Sequence, residues 1–393
     1  MEISHSLKQQ FLLDPDVTYL NFGSFGACPQ PIFDDYIHWQ KELERNPVKY
    51  ITRTGPQQLQ RSREALGTYI GCNAEDVVFV PNPTYGANII AKSLNLKPGD
   101  EIITTNLEYG ACDKTWQYYC KKSGATYVRQ KTTLPVVSKQ HFIDEFVRGI
   151  TSKTKMLFIS HITSTTGLIL PVEELCAVAK QKGILTFVDG AHVPGHIPLD
   201  LKKLQADMYI GACHKWMMTP KGSSFLYVKK ELQPLFDPLI VSWGYESAMP
   251  STSIFLDYHQ MSGTRDFSAY LTIPKAIEFM KQNNWPHVAA QCRKLVKDNA
   301  ARFCELLQTQ PLCPVNDEFL GQMMSIPIVT RQPEKLQQHL YEQHKIEIPV
   351  MRLDDKIFLR YSIQAFNTQS DLDRLFDVVR EIICEKELIV LPN

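Results

Sequence analysis

At 393 residues, 44% of them hydrophobic, the chain can bury a large core and reads as two or three lobes rather than one compact unit. Lysine plus arginine and aspartate plus glutamate balance at 42 each, so no long-range field favours nucleic acid or an anionic membrane surface; small molecules and other protein chains are the expected partners. The ten cysteines form no CxxC pair, the start has no basic leader followed by an apolar stretch, and no run approaches about eighteen apolar residues, which argues against secretion, a membrane span and a zinc-ribbon or redox motif and points to reduced thiols in a cytoplasmic setting.

Between residues 77 and 228 short apolar runs alternate with amphipathic stretches. Val77–Val80, Glu101–Thr105, Ala125–Val128, Met156–Ile159, Ile184–Val188, Met208–Ile210 and Ser224–Val228 predict seven strands of a mostly parallel α/β sheet covered on both faces. The clearest intervening helix runs from Pro171 to Gly183, with proline at its start, acids in the first turn, lysines in the last and glycine as the stop.

The strand ends carry the candidate chemistry. After the first strand, Thr84 and Gly86 sit where a helix begins, which offers free backbone N–H groups and a hydroxyl to a phosphate, or is simply a capped helix start. Tyr109 follows the next strand, on the edge where open α/β sheets bind ligands; it either stacks on a planar ring or packs as core with its hydroxyl paired. The run His161 to Gly167 places several hydroxyls at another strand end, with Ser164 the preferred contact to a cofactor. Asp189 ends the strand from Ile184, and His192 follows it.

Lys215 lies 26 residues after Asp189, in a loop that an apolar strand delivers and a second apolar strand leaves. An unpaired loop lysine is ordinarily just solvated. An acid and a lysine at neighbouring strand ends, however, are what pyridoxal 5'-phosphate needs: a carboxylate to keep the pyridine nitrogen protonated and an amine to hold the aldehyde as a Schiff base. In that reading His192 touches the ring oxygen and His214 helps hold the phosphate. His192 and His196 are spaced as a metal-binding pair, but Pro194 and Gly195 break any helix between them and no third ligand follows at zinc-like spacing, so no metal is assigned.

Residues 229–267, rich in Pro, Ser and Gly and without a clear period, read as a linker or a frame for the site. Beyond about residue 268 two long helical stretches, a strand near 322–329, a helix from about Pro333, two short strands and a closing helix from Ser370 to Glu385 predict a smaller α+β domain. Within one of those strands Arg360 needs a partner for its buried guanidinium, either a substrate carboxylate held by two parallel bonds or an internal acid.

Taken in order, Asn82 to Asn88, Leu107 to Ala111, His161 to Gly167, Val188 to His192, Cys213 to Trp216, Ser242 to Gly244, Gly263 to Asp266 and Arg360 to Thr368 resemble the motifs of class V aminotransferases, the fold-type I pyridoxal-phosphate enzymes, and most closely their isopenicillin N epimerase-like branch. The resemblance covers roughly residues 17–385. It implies an N-terminal segment (1–20) packing near the small domain, a large cofactor-binding domain (21–267) with a mostly parallel seven-stranded sheet, and a small C-terminal α+β domain (268–393). It implies Lys215 as the Schiff-base lysine, Asp189 on the pyridine nitrogen, Tyr109 stacked on the ring, and Thr84, Tyr85 and His214 on the phosphate, with Thr264 reaching it from a second subunit of a homodimer. Arg360 would hold the substrate carboxylate, with Asn21 in the segment near the substrate.

The chain departs from cysteine desulfurases, which are similar in the same motifs: Tyr109 stands for their ring-stacking histidine, Ser164 for their asparagine, and the stretch 346–359 before Arg360 contains no cysteine. A persulfide-forming desulfurase is therefore disfavoured. The expected activity is at Cα of an amino acid or aminoacyl compound, epimerase-like or aminotransferase-like, with Lys215 as general base. The alternatives are a C–S lyase acting on a cysteine derivative and, outside the enzymes, a cofactor-free binding protein that kept the fold. No strand opens onto GxGxxG, which disfavours a nicotinamide-dependent enzyme. The N-terminal segment and the region of Trp243 and Tyr245 are the expected specificity elements, although Trp243 reads equally as a core or dimer-interface residue.

Overall fold

A computed structural model describes residues 5–392. The strands are β1 (Thr18–Tyr19), β2 (Val77–Val80), β3 (Glu101–Thr105), β4 (Thr126–Gln130), β5 (Thr154–Ser160), β6 (Leu185–Gly190), β7 (Met208–Ala212), β8 (Ser224–Val228), β9 (Met323–Ile328), β10 (Ile346–Glu347), β11 (Val350–Leu353) and β12 (Lys356–Ser362). Seven of them form one sheet in the order β2-β8-β7-β6-β5-β3-β4, in which β8 alone runs antiparallel to its neighbours. The seven apolar runs of the sequence coincide with these strands to within two residues at each end.

Alternation along each strand explains why the sheet is covered twice. Val78, Val80, Phe158 and Ile210 enter one core, with Ile89 and Trp116 from helices on that side; Val77, Phe79, Leu157 and Ile159 enter the other, which is continuous with the C-terminal part of the chain. The chain steps from β3 outward to β4, then crosses back to place β5 on the other side of β3, and β6 and β7 follow in that direction. The reversal leaves a crevice at the C-terminal ends of β3 and β5, where doubly wound sheets bind ligands.

Helix starts are coded locally. The helix Pro83–Ser93 has proline at its first turn and the Asn82 side chain accepting from the Tyr85 N–H at 2.9 Å. Gly86 lets it lie close on the sheet, since a Cβ there would meet Ile210 Cγ2 at 2.8 Å. Two long helices, Gln30–Arg45 and Gly55–Ile70, precede β2. The sequence reading assigned them nothing; the first buries only Ile32, too sparse an apolar stripe to show a period.

C-terminal to the large sheet, β11-β12-β9 form an antiparallel sheet, packed with the helices Trp285–Leu306 and Gln369–Glu385. The segment 229–267 is less irregular than its composition suggested: it carries a 3-10 turn at Lys230–Leu235 and a helix at Ile254–Gln260 capped by Ser253. The start of the chain joins the C-terminal part: β1 pairs in parallel with β10, and Leu20 C=O accepts from the Ser362 N–H at 2.8 Å. Among the described residues no helix is long and apolar enough to cross a membrane, and the ten cysteines are free thiols.

Candidate active site

Asp189 ends β6, in register with Ser160 of β5 and Ile210 of β7, so it sits one strand from both the crevice and the loop that carries Lys215. That loop is tied down by Ser223, whose carbonyl accepts from the backbone N–H groups of Cys213 and His214, and by Met218 N–H on Lys215 C=O at 3.0 Å. The N-terminal segment closes over it. Gly26 (φ +64°) passes so near that a Cβ would meet His214 O at 2.4 Å, which leaves room for glycine alone.

These elements enclose a cavity of about 660 Å³. Thr84, Tyr109, Ser164, Asp189, His192, His214, Lys215 and Arg360, eight of the residues singled out in the sequence, all line it. Asn21 stands one shell behind, bonded to Arg360. Tyr85 turns away and packs on the apolar core under its helix, and Thr264 is exposed in a loop outside the cavity of its own chain. Trp243 is 86% exposed, which removes it from the core of this chain.

One end of the cavity offers donors: Thr84 at a helix start, and His214, whose Nδ1 is 2.9 Å from Ser223 C=O. The middle holds Lys215 Nζ, 3.2 Å from His192 Nε2. Burial lowers the Lys215 amine to about 8 against the opposing pull of Asp189, so roughly a tenth of it is neutral at pH 7, far more than for an ordinary lysine. Burial holds His192 well below its usual range, helped by the positive charges of Lys215 and Arg360. The Asp189 carboxyl is raised by burial; its Oδ1 accepts from Ala191 N–H at 2.9 Å, while Oδ2 has only the Cys112 thiol, at 3.6 Å. A buried carboxylate oxygen so poorly partnered suits a protonated ring nitrogen.

Arg360, in β12 and 1% exposed, projects from the C-terminal sheet into the same space. Its Nη1 donates to Ser164 C=O at 2.5 Å, and its Nη2 to Ser24 Oγ at 2.9 Å and more weakly to Asn21 Oδ1 at 3.5 Å. Asn21 is itself anchored on Glu347 Oε1 at 2.9 Å. Among the described residues Arg360 makes no ion pair, and its Nε is buried without a partner. Among the described residues no internal acid pairs with it, and the guanidinium is a buried cation held by neutral oxygens alone.

Sequence reasoning passed over Glu108, beside Tyr109. Its carboxyl is buried and accepts from Thr105 Oγ1 at 2.6 Å, Ser160 Oγ at 2.6 Å and Ser160 N–H at 2.8 Å, which ties the Tyr109 turn to the end of β5. The signal was an acid directly after the apolar residue that ends a strand turn. Burial outweighs these donors and pushes Glu108 from 4.5 up to about 7. An acid raised on folding is protonated in the folded chain and ionised in the unfolded one between those values, so stability falls as pH rises through that window and is flat above it. Glu108→Gln removes the ionisation; between about pH 5 and pH 8 its urea midpoint is expected to drop less than that of the native protein, by the equivalent of roughly 1–3 kcal/mol. Equal drops in both proteins would show that Glu108 is ionised in the fold.

The profile of the aminotransferase class-V family matches residues 27–375. The chain is 30% identical over 388 residues to isopenicillin N epimerase of Amycolatopsis lactamdurans, covering 95% of this chain and 97% of that one. It is 28% identical to a probable chloroplastic L-cysteine desulfhydrase of Arabidopsis thaliana, over 94% of this chain and 84% of that one. Among solved structures, the apo cysteine desulfurase of Thermococcus onnurineus NA1 superposes with a TM-score of 0.82 at 21% identity, over 98% of this chain and 99% of that one, which is a likeness of fold.

Proposed function

This chain belongs to the class-V aminotransferase family, and from that premise we propose that it acts at Cα of an amino acid or aminoacyl substrate, in the manner of an isopenicillin N epimerase or an aminotransferase. The cofactor is pyridoxal 5'-phosphate. The cavity fits it: a donor-rich end for the phosphate, the under-partnered Asp189 Oδ2 for the ring nitrogen and a buried amine between them. Bound there, the cofactor supplies an aldehyde for an amine to hold and a conjugated electron sink for the electrons released at Cα.

In this reading Thr84 and His214 would hold the phosphate, Tyr109 would lie against the ring, His192 would stand beside the ring oxygen and Asp189 would keep the ring nitrogen protonated. Arg360 receives the substrate carboxylate in a planar fork, with Ser24 and Asn21 setting its plane. Lys215, lowered to about 8, takes the Cα proton at Nζ and can return it. A proton delivered to Cα on its opposite face would give epimerisation and one delivered to the cofactor carbon transamination, and the residues named here are common to both outcomes. A second copy of the chain belongs to the same reading, with Thr264 of the partner subunit completing the phosphate end. So does a reduced cytoplasmic setting.

The observation that carries the reading is the coincidence, in one cavity, of a buried amine lowered toward neutrality and a buried guanidinium without an acid. A second reading, C–S bond cleavage in a cysteine derivative, is supported by the 28% identical desulfhydrase. The test is to titrate the purified protein with single amino acids and aminoacyl peptides, follow its visible spectrum, and assay each responder for inverted stereochemistry, a keto acid and sulfide. Inversion or keto acid without sulfide supports the first reading; sulfide with pyruvate from cysteine or cystine replaces it with the second. For a true substrate, Arg360→Lys is expected to raise KM about 100-fold, since an ammonium cannot reproduce the bidentate fork. An unchanged KM would remove Arg360 from carboxylate binding.

A further inference from the structure

Trp216 follows Lys215 in sequence and is wholly buried, yet its indole faces the imidazole next to the lysine amine rather than the cavity. Its Nε1 lies 3.3 Å from His192 Nδ1. An indole nitrogen can only donate, so His192 Nδ1 must present its lone pair. A neutral imidazole has one proton, which the contact with Trp216 therefore places on Nε2. Burial between Lys215 and Arg360 keeps that ring neutral.

His192 Nε2 is the atom 3.2 Å from Lys215 Nζ. An N–H aimed at Nζ is a hydrogen bond only if Nζ has a free electron pair; an ammonium there would set proton against proton. We propose that Trp216 is a positioning residue which, acting through His192, fixes the imidazole tautomer whose N–H points at Lys215 Nζ and so favours the unprotonated amine. The inference rests on Lys215 being the lysine that holds the cofactor and moves the proton.

The surroundings hold the indole in place. Its ring stacks on His196 with centroids 3.9 Å apart. His196 is oriented at both nitrogens, with Nε2 accepting from Gln322 N–H at 2.5 Å and Nδ1 donating to His192 C=O at 2.9 Å. Gly195 (φ +86°) leaves space for no side chain, because a Cβ would meet Trp216 O at 2.3 Å. The other charged or titratable groups facing the pair are Asp189, Arg360, Cys112 and His214, and none of them bonds His192 Nδ1.

The test uses the holoenzyme with its histidines labelled with nitrogen-15, His192 being assigned by its loss in His192→Gln. Long-range proton–nitrogen correlation is expected to show His192 with a pyrrole-type Nε2 and a pyridine-type Nδ1. In Trp216→Phe, which keeps an aromatic ring against His196, the opposite tautomer should appear, and the midpoint of the visible-band pH titration should rise by about one unit, a tenfold gain in protonated Nζ. A pyrrole-type Nδ1 in the native protein overturns the proposal even where Trp216→Phe does not fold. So does a folded Trp216→Phe protein with an unmoved midpoint, which would reduce Trp216 to packing. A protein that never binds pyridoxal 5'-phosphate would sink the functional reading instead, and the tautomer could still be read from its histidine spectrum.

Discussion

Lys215→Ala is expected to purify without the visible band of the lysine-held cofactor and to lose at least about 1000-fold in turnover while keeping its far-ultraviolet circular dichroism. The size follows from the cavity: among the described residues Lys215 is the only amine lining it, and the proposed reaction gives the Cα proton to no other residue. The fold should survive, because the loop is held by Ser223 C=O and the Met218 N–H, which use the backbone of residues 213–218 rather than the lysine side chain. The local cost is that His192 Nε2–H loses its acceptor. A small primary amine added to the variant should return part of the activity by entering the vacated space. Retention of full turnover by Lys215→Ala would end the assignment of the base.

Asp189→Asn is expected to keep the lysine-held cofactor but to lower turnover about 100- to 1000-fold, the scale on which removing a preorganised electrostatic partner acts. The substitution is nearly isosteric, and an amide oxygen can still accept from Ala191 N–H as Oδ1 does at 2.9 Å. What changes is the other atom: an NH2 replaces Oδ2, the oxygen proposed to face the ring nitrogen, so a donor would meet a donor and the ring nitrogen would lose its reason to stay protonated. Comparing turnover with cofactor occupancy, read from the visible band, separates this from simple failure to bind. A variant that fails to take up the cofactor would place Asp189 in binding rather than in tuning the ring.

The large sheet was legible because its information is local. Val77–Val80 and Met208–Ile210 are short apolar runs between turn signals, and their side chains enter opposite cores whatever lies far away in the chain. Lys215, Asp189 and Tyr109 were legible for a related reason: each stands at the end of an apolar strand or within four residues after it, and parallel strands bring such positions to one edge. Gln30–Arg45 was not, because its buried face is sparse, Ile32 alone, and packs on helices near residues 268–282; Gly55–Ile70 does bury Leu59, Leu66 and Ile70 at helical spacing, but few apolar residues separate that stripe from its polar surroundings. Tyr85 shows the limit of motif matching, since it packs on the apolar core under its helix; Thr264, expected to act from a second subunit, lies outside the cavity of its own chain.

By itself, then, the sequence determined the α/β class, the strand positions and the pairing of an acid with a lysine at neighbouring strand ends, since all of these depend on periodicity and on turns a few residues long. The state of those groups was decided only by tertiary structure. Arg360 meets Ser164, Ser24 and Asn21 across separations of 196, 336 and 339 residues, and the absence of an acid among its neighbours is a property of that packing. The burial that lowers Lys215, and the indole that sets the His192 proton, are likewise made by segments closing over one another. Hydrophobic patterning decides which elements form; desolvation and hydrogen-bond direction, which set the chemistry, exist only once distant elements exclude water from the same cavity.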